Sequence, residues 1–228
     1  MKRLAILLTL FAAAANAQSF TFGPRISNYS TEFDGGISTL KTGRQTGYGL
    51  MGDYRNGAFV LDYSYDHDPE NGASVVDLLI DTGDYTRDRG EATVGFAALP
   101  GLDLQAGVRY ETFRIGGVSI IGTPLFTDVD ANHQSLVFGV KVHTPSNRQV
   151  GFYGLARGYV GSMKIDARNF ESNTTGYRFE GGVTIPIGQS SWSVVPGVEW
   201  EHIKTEDFGL SFDSNRFLLG FVYRGGGR

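Results

Sequence analysis

The chain has no cysteine, only 7 prolines in 228 residues, and no apolar run approaching the length of a bilayer-spanning helix. The missing cysteine excludes a disulfide scaffold, a thiolate metal site and a cysteine nucleophile. The missing long apolar run excludes a transmembrane helix. Basic residues are also in short supply. The 20 Lys and Arg face 24 Asp and Glu, for a formal charge of -4, so there is no electrostatic footprint for nucleic acid and none is expected as a partner. What is abundant is glycine, at 32 residues, and aromatic side chains, at 13%. With only 19% charged residues, this composition points away from helical bundles and from disorder. It suits a single all-β domain, which at this length is common.

Residues 1–17 read as an export signal. Lys2 and Arg3 form a basic start, Leu4 to Ala15 is apolar, and Ala15-Asn16-Ala17 is a small-residue cleavage site. The expected mature domain is therefore 18–228, released by cleavage after Ala17.

From there the dominant hydrophobic period is two. Phe59, Leu61, Tyr63 and Tyr65 alternate with a more polar set, as do Leu104, Ala106, Val108 and Tyr110. The same holds for Leu136 to Val142, Tyr177 to Ile185, Trp192 to Trp200 and Phe217 to Tyr223. Weaker alternation covers 20–27, 48–55 and 89–98. The stretch 149–162 resists a clean assignment, because Arg157 shares parity with Tyr153, Leu155 and Tyr159, and a bulge would be needed to separate them. About ten strands result, with eight or twelve as alternatives, twelve if Val75–Ile80 and Val118–Ile121 both span.

The connections alternate in length. Short ones fall at Asn56-Gly57, Leu99-Pro100-Gly101, 144–148 and 188–191; long ones fall near 30–46, 67–87, 114–132, 163–173 and 204–213. Asn-Gly is a strong hairpin signal. It predicts that Tyr54 pairs with Phe59 and Asp53 with Val60. Pro24 and Pro196, each lacking a backbone donor, are expected to interrupt the ladder.

Alternation alone does not say whether the apolar face meets a core or lipid. The short-turn, long-loop asymmetry favours a membrane barrel. So does the polar face, which mixes glycine with pairable charges. Trp192 and Trp200 share a face and lie roughly 20 Å apart along the normal of a tilted strand, close to the height of a lipid-facing band. Tyr48, Tyr54, Phe59 and Tyr223 complete an expected aromatic girdle. The rival fold is a secreted soluble β-sandwich.

With the signal, the alternating strands and a last strand reading Phe217-Leu218-Leu219-Gly220-Phe221-Val222-Tyr223, the chain resembles the small bacterial outer-membrane β-barrels, porin-like in the broad sense. The resemblance implies an antiparallel up-and-down barrel in the outer membrane, both termini periplasmic. It implies outer-membrane lipids, lipopolysaccharide and the barrel-assembly machinery as partners, a loop ligand of unknown kind, and no cofactor or metal.

Two constellations are compatible with hydrolysis. His133 and Ser135 share a face, as in the His-x-Ser pair of lipid A deacylases, but Ser135 belongs to the lumen set and no orienting acid is evident. Asp66 and Asp68, with Asp130 and His133, resemble the rim residues of outer-membrane proteases; the plainer expectation is a solvated acidic loop. Neither displaces a non-enzymatic reading, a narrow pore or a structural, surface-interaction barrel. Counting back from the turns puts Glu91 opposite Arg109, Arg89 opposite Glu111, Arg178 opposite Glu201 and Glu180 opposite Glu199. The last, like-charged pair should draw in Arg216, Arg25 or Lys141. The expected lumen is ion-paired and restrictive.

Overall fold

The computed structural model describes residues 19–34, 39–74, 80–116, 118–120, 123–126, 129–144, 150–166, 170–207 and 209–226. The expected signal peptide and most of the 144–148 connection lie outside these residues.

Ten long strands form one closed antiparallel barrel. They are β1 (Ser19–Asp34), β3 (Gln45–Asn56), β4 (Phe59–Ser74), β5 (Ile80–Leu99), β6 (Leu102–Ile115), β9 (Val129–His143), β10 (Gly151–Ile165), β11 (Phe170–Pro186), β12 (Trp192–Thr205) and β13 (Ser211–Gly226). Each pairs with its neighbours in order, and β1 closes the ring on β13, from Ser19↔Gly226 to Asp34↔Ser211. There is no second sheet among the described residues, so the sandwich alternative is set aside. Three short strands, β2 (Thr39–Thr42), β7 (Val118–Ile120) and β8 (Thr123–Phe126), extend the rim. β7 pairs only with the upper end of β5 and with β8, so it adds no stave. The hairpin β4–β5 runs well into the stretch expected to be a loop, through two register shifts.

The period of two sets which side each residue faces. Outward residues are apolar and open, with Phe96 60%, Val108 58% and Phe217 57% exposed. Inward residues are largely charged or hydroxylated and buried.

The turns refine the expected registers. Tyr54 pairs with Leu61, and Asn56 with Phe59, so the two-residue loop is Gly57-Ala58. Asp53 thus faces Asp62, not Val60. Gly57 has φ 60, the positive value that the first position of a tight two-residue hairpin loop calls for. Both registers keep the same parity, so Phe59 still faces out and Val60 in. At the next turn Leu99 pairs with Leu102 around Pro100-Gly101, and Ala98 is the extra residue of a bulge, where a three-residue loop pairing Ala98 with Leu102 was expected. Gly101 has φ 83, as the third residue of a type II turn requires. Above the bulge the register is as counted.

Each proline interrupts one ladder and spares the other. Gly23 and Pro24 are unpaired toward β13 but paired toward β3; Val195 and Pro196 are unpaired toward β11 but paired toward β13. Neither gap shifts the register. β10 has no bulge: Arg157, Leu155 and Tyr159 are all buried inward together.

Candidate functional site

The lumen is the candidate site. At its centre, Arg89 on β5 reaches across to β12, donating to Glu199 Oε1 at 2.7 Å and Glu201 Oε2 at 3.1 Å, and sideways to Asp66 on β4 at 2.7 Å. Arg87 bonds Glu111, and Glu201 Oε2 at 2.8 Å. Arg109 bonds Glu111 Oε2 at 2.6 Å and contacts Glu201. Beside this cluster, Glu91 is held by Arg157, by Arg178 at 3.0 Å and by the Tyr159 hydroxyl at 3.0 Å. Arg216 on β13 bonds Asp68 at 2.9 Å and lies 3.3 Å from Glu199, and Arg25 on β1 bonds Asp66 at 2.6 Å. All of these charged groups are buried.

Desolvated pairs are tolerated only when their hydrogen bonding is rich, since a lone buried charge costs several kcal/mol. Here the bonding is rich but incomplete. Nη1 of Arg87, Arg109 and Arg178 is buried without a protein acceptor. Buried donors of that kind each cost about 1–3 kcal/mol, so the cluster fills the bore at some expense to stability.

The registers Glu91↔Arg109, Arg89↔Glu111, Arg178↔Glu201 and Glu180↔Glu199 occur as counted. Of these opposed residues, none is an ion pair within 3.5 Å: the cations reach past their neighbours to other strands. Arg216 and Arg89 take Glu199, while Arg25 goes to Asp66 and Lys141 to Asp62. Glu180 is left with the Tyr153 hydroxyl at 3.1 Å and Arg178 at 3.9 Å.

Sequence reasoning missed Arg87 and Arg157 as members of the cluster. It also read Asp66 and Asp68 as solvated, whereas both are buried against arginines because β4 continues inward-facing past Tyr65. The available signal was parity: 62, 64, 66 and 68 share one face. His133, expected to resemble a rim residue, lies inside the bore. It is buried, its Nδ1 is 3.3 Å from Glu111 and its Nε2 is 3.0 Å from Thr174 Oγ1. Glu111 is the acid that the sequence did not reveal. Ser135 faces the lumen with no hydrogen-bond partner for its hydroxyl, so it is not a surface nucleophile. Asp130 pairs instead with exposed Arg114. No group of three or more potential metal ligands occurs among the described residues.

The two ends of the bore differ. At the long-loop end, Tyr29, Tyr85, Phe113, Ile203 and Phe212 form a buried apolar cluster with Phe33, Ala131 and Met163 packed on it. Arg87 lies over Phe212, 4.5 Å from the ring centre, and Arg216 over Tyr29 at 4.8 Å, so the cap is joined to the ionic layer by cation–π contacts. At the short-turn end lies a chamber of about 340 Å³, lined among others by Arg25, Asp53, Lys141, Tyr153 and Glu180.

The girdle residues all sit on the outer face. Trp192 stacks on Phe221 at 4.8 Å and meets Tyr223 edge-on at 5.3 Å. Trp200 stacks on Phe179 at 6.0 Å. Tyr54 touches Phe59 at 6.2 Å, now diagonally, and Tyr48 lies against His67 at 4.9 Å.

No protein-family model matches the sequence, and no curated protein matches it. Solved structures do. The outer membrane protease OmpT from Escherichia coli superposes with a TM-score of 0.60 at 8% identity, over 92% of this chain and 98% of that one. The translocator domain of the autotransporter NalP from Neisseria meningitidis gives 0.52 at 10% identity, over 99% and 95%. The fold is that of the small outer-membrane β-barrels, closed with ten strands. At such identities the likeness is one of fold and carries no activity with it.

Proposed function

We propose that this chain is a non-enzymatic integral outer-membrane barrel whose bore is closed, so that it acts as a structural or surface-interaction protein and not as an open pore. The observation that carries the reading is the span of Arg89 from β5 to Glu199 and Glu201 on β12, which crosses the bore with buried charge. The aromatic cluster above it supports the same reading, because it blocks the long-loop end with apolar side chains. The outward face supports the membrane: a continuous apolar surface of this extent is at home in lipid and is a liability in water. The protease alternative loses its support, since Asp66 and Asp68 are committed to arginines. Single-channel recording of the refolded barrel tests the proposal. Little or no current is expected; large, steady porin-like conductance would overturn it.

A further inference from the structure

The short-turn chamber runs from the ionic layer down to the turns, where Ser19, Pro100, Gly101 and Arg224 line it at strand ends. A ligand therefore enters from the periplasm in the orientation expected for the barrel. The lining charges are unequal. Arg25, Arg55, Lys141, Arg178 and Arg224 are cationic, against Asp53, Asp62 and Glu180, which leaves two positive charges in excess. The acids that hold Arg25, Arg55 and Arg178 are Asp66, Asp103 and Glu91, and none of these is in the lining. At those three places the wall presents the guanidinium and not its partner.

Arg178 is the cation with donors to spare. It is 1% exposed and reaches from β11 to Glu91 on β5, to which Nη2 donates at 3.0 Å. Glu180 also makes its nearest approach to Nη2, at 3.9 Å. Nη1 has no hydrogen-bond partner, and Nε has only Glu199 at 3.9 Å. Ser64 Oγ, in the same lining, is a second buried group without a partner. Ser64 is the register neighbour of Glu91, so its hydroxyl and the Arg178 guanidinium end in the same part of the chamber roof. A buried donor without an acceptor is costly, and an arriving anion removes that cost. Below the roof the wall is apolar, formed by Met51, Leu155, Val195 and Val222.

We infer that this chamber is a binding site for a small organic monocarboxylate with a compact apolar body. Its carboxylate accepts from Nη1 of Arg178 and from the Ser64 hydroxyl, and its hydrocarbon lies on the apolar wall. The chemistry is selective in sign, because an ammonium ion would meet the excess of lining cations. Asp53 and Glu180, in the same lining, hold the ligand to a single negative charge. It is selective in polarity too, because a bare inorganic anion would leave the apolar wall uncovered. The size agrees with a pocket at the lower end of the small-molecule range, about 300–1,000 Å³.

The test uses the full barrel refolded in micelles of an uncharged detergent and three probes of matched shape: 3-phenylpropionate, phenethyl alcohol and phenethylammonium. Binding is read by calorimetry and by chemical shifts of labelled Met51. The carboxylate should bind at least tenfold more tightly than either of the others. Partition into micelles favours the neutral alcohol, so it does not produce that order. Arg178→Met should weaken the carboxylate about tenfold, as loss of a charged hydrogen bond does. Ser64→Ala and Arg224→Gln, which break no buried ion pair, give independent variants should Arg178→Met fail to fold, and each should weaken it about threefold. A variant at the other end of the bore, Phe113→Leu, should leave binding unchanged. Equal binding of the three probes would overturn the inference, as would a carboxylate affinity indifferent to every folded variant of the lining, or one matched by chloride alone. Failure here leaves the closed-bore reading standing, since that rests on conductance.

Discussion

Replacing Arg89 by alanine should be among the most damaging single changes in the barrel wall. The side chain donates five hydrogen bonds, to Asp66, Glu199 and Glu201, at 2.7–3.1 Å. The loss is not three times that of one pair, because each acid keeps another cation. Asp66 keeps Arg25, Glu201 keeps Arg87 and Arg109, and Glu199 keeps Arg216 at 3.3 Å. Removing one partner of a buried pair costs about 3–5 kcal/mol. Against a total stability of about 5–15 kcal/mol, that moves the midpoint of urea unfolding in micelles well outside error. Trp192 and Trp200 provide the fluorescence signal. The double change Arg89→Met with Glu199→Met removes one charge of each sign and should recover most of the loss, as apolar replacement of buried pairs commonly does. A cost below about 1 kcal/mol for Arg89→Ala would show the bore to be wet and its pairs no stronger than surface ones, and the closed-bore argument would go with it.

Four further outcomes are expected. Arg109→Glu should lower the urea midpoint by setting three carboxylates together, with conductance still low because the aromatic cap closes the long-loop end, and adding Glu91→Arg should not restore the stability, because Glu91 is held by Arg157 and Arg178; full rescue would mean that the register neighbours pair directly. Gly57→Ala should cost about 1–2 kcal/mol in unfolding free energy, since φ there is 60 and nothing crowds the new methyl, so the penalty is backbone alone. Val198→Arg, on the outward face, should destabilise the refolded barrel by up to about 2–4 kcal/mol if that position is at mid-bilayer, and a neutral result would argue against lipid contact there. Phe113→Ala should cost about 3–5 kcal/mol by hollowing the aromatic cap, with conductance still low because the ionic layer lies beneath it.

Much of the barrel was legible because side-chain parity and antiparallel register are local properties. Counting from Gly101 and from the 188–191 loop places Glu91 beside Arg109 and Glu180 beside Glu199, and turn details leave those pairs untouched. What the count does not contain is the third dimension. Arg89 and Glu199 are five strands apart in either direction around the ten-strand ring, and they meet because the sheet closes and long side chains cross its axis. The same blindness hid Arg157, whose face was ambiguous because Tyr153, Leu155 and Tyr159 look like outward residues. They face inward because Tyr153 and Tyr159 end in hydroxyls that bond Glu180 and Glu91. The Asn56-Gly57 turn slipped by one residue because hydrophobic patterning does not distinguish two registers of equal parity.

The seam between β1 and β13 has a kinetic consequence. Ser19 and Gly226 are 207 positions apart, whereas Glu91 and Arg109 in a neighbouring hairpin are 18 apart. Chain-closure entropy makes the seam contact dearer by about 2 kcal/mol. Hairpins therefore zip first and the ring shuts last. Until it shuts, Arg216 on β13 lies at the far edge of an open sheet from Asp68 on β4, the carboxylate that it finally binds, whereas Arg25 on β1 is only two strands from Asp66. Ring closure and charge neutralisation thus become one event, and refolding should show a late phase, slowed by Arg216→Met, in which amide protection of β1 and β13 appears together.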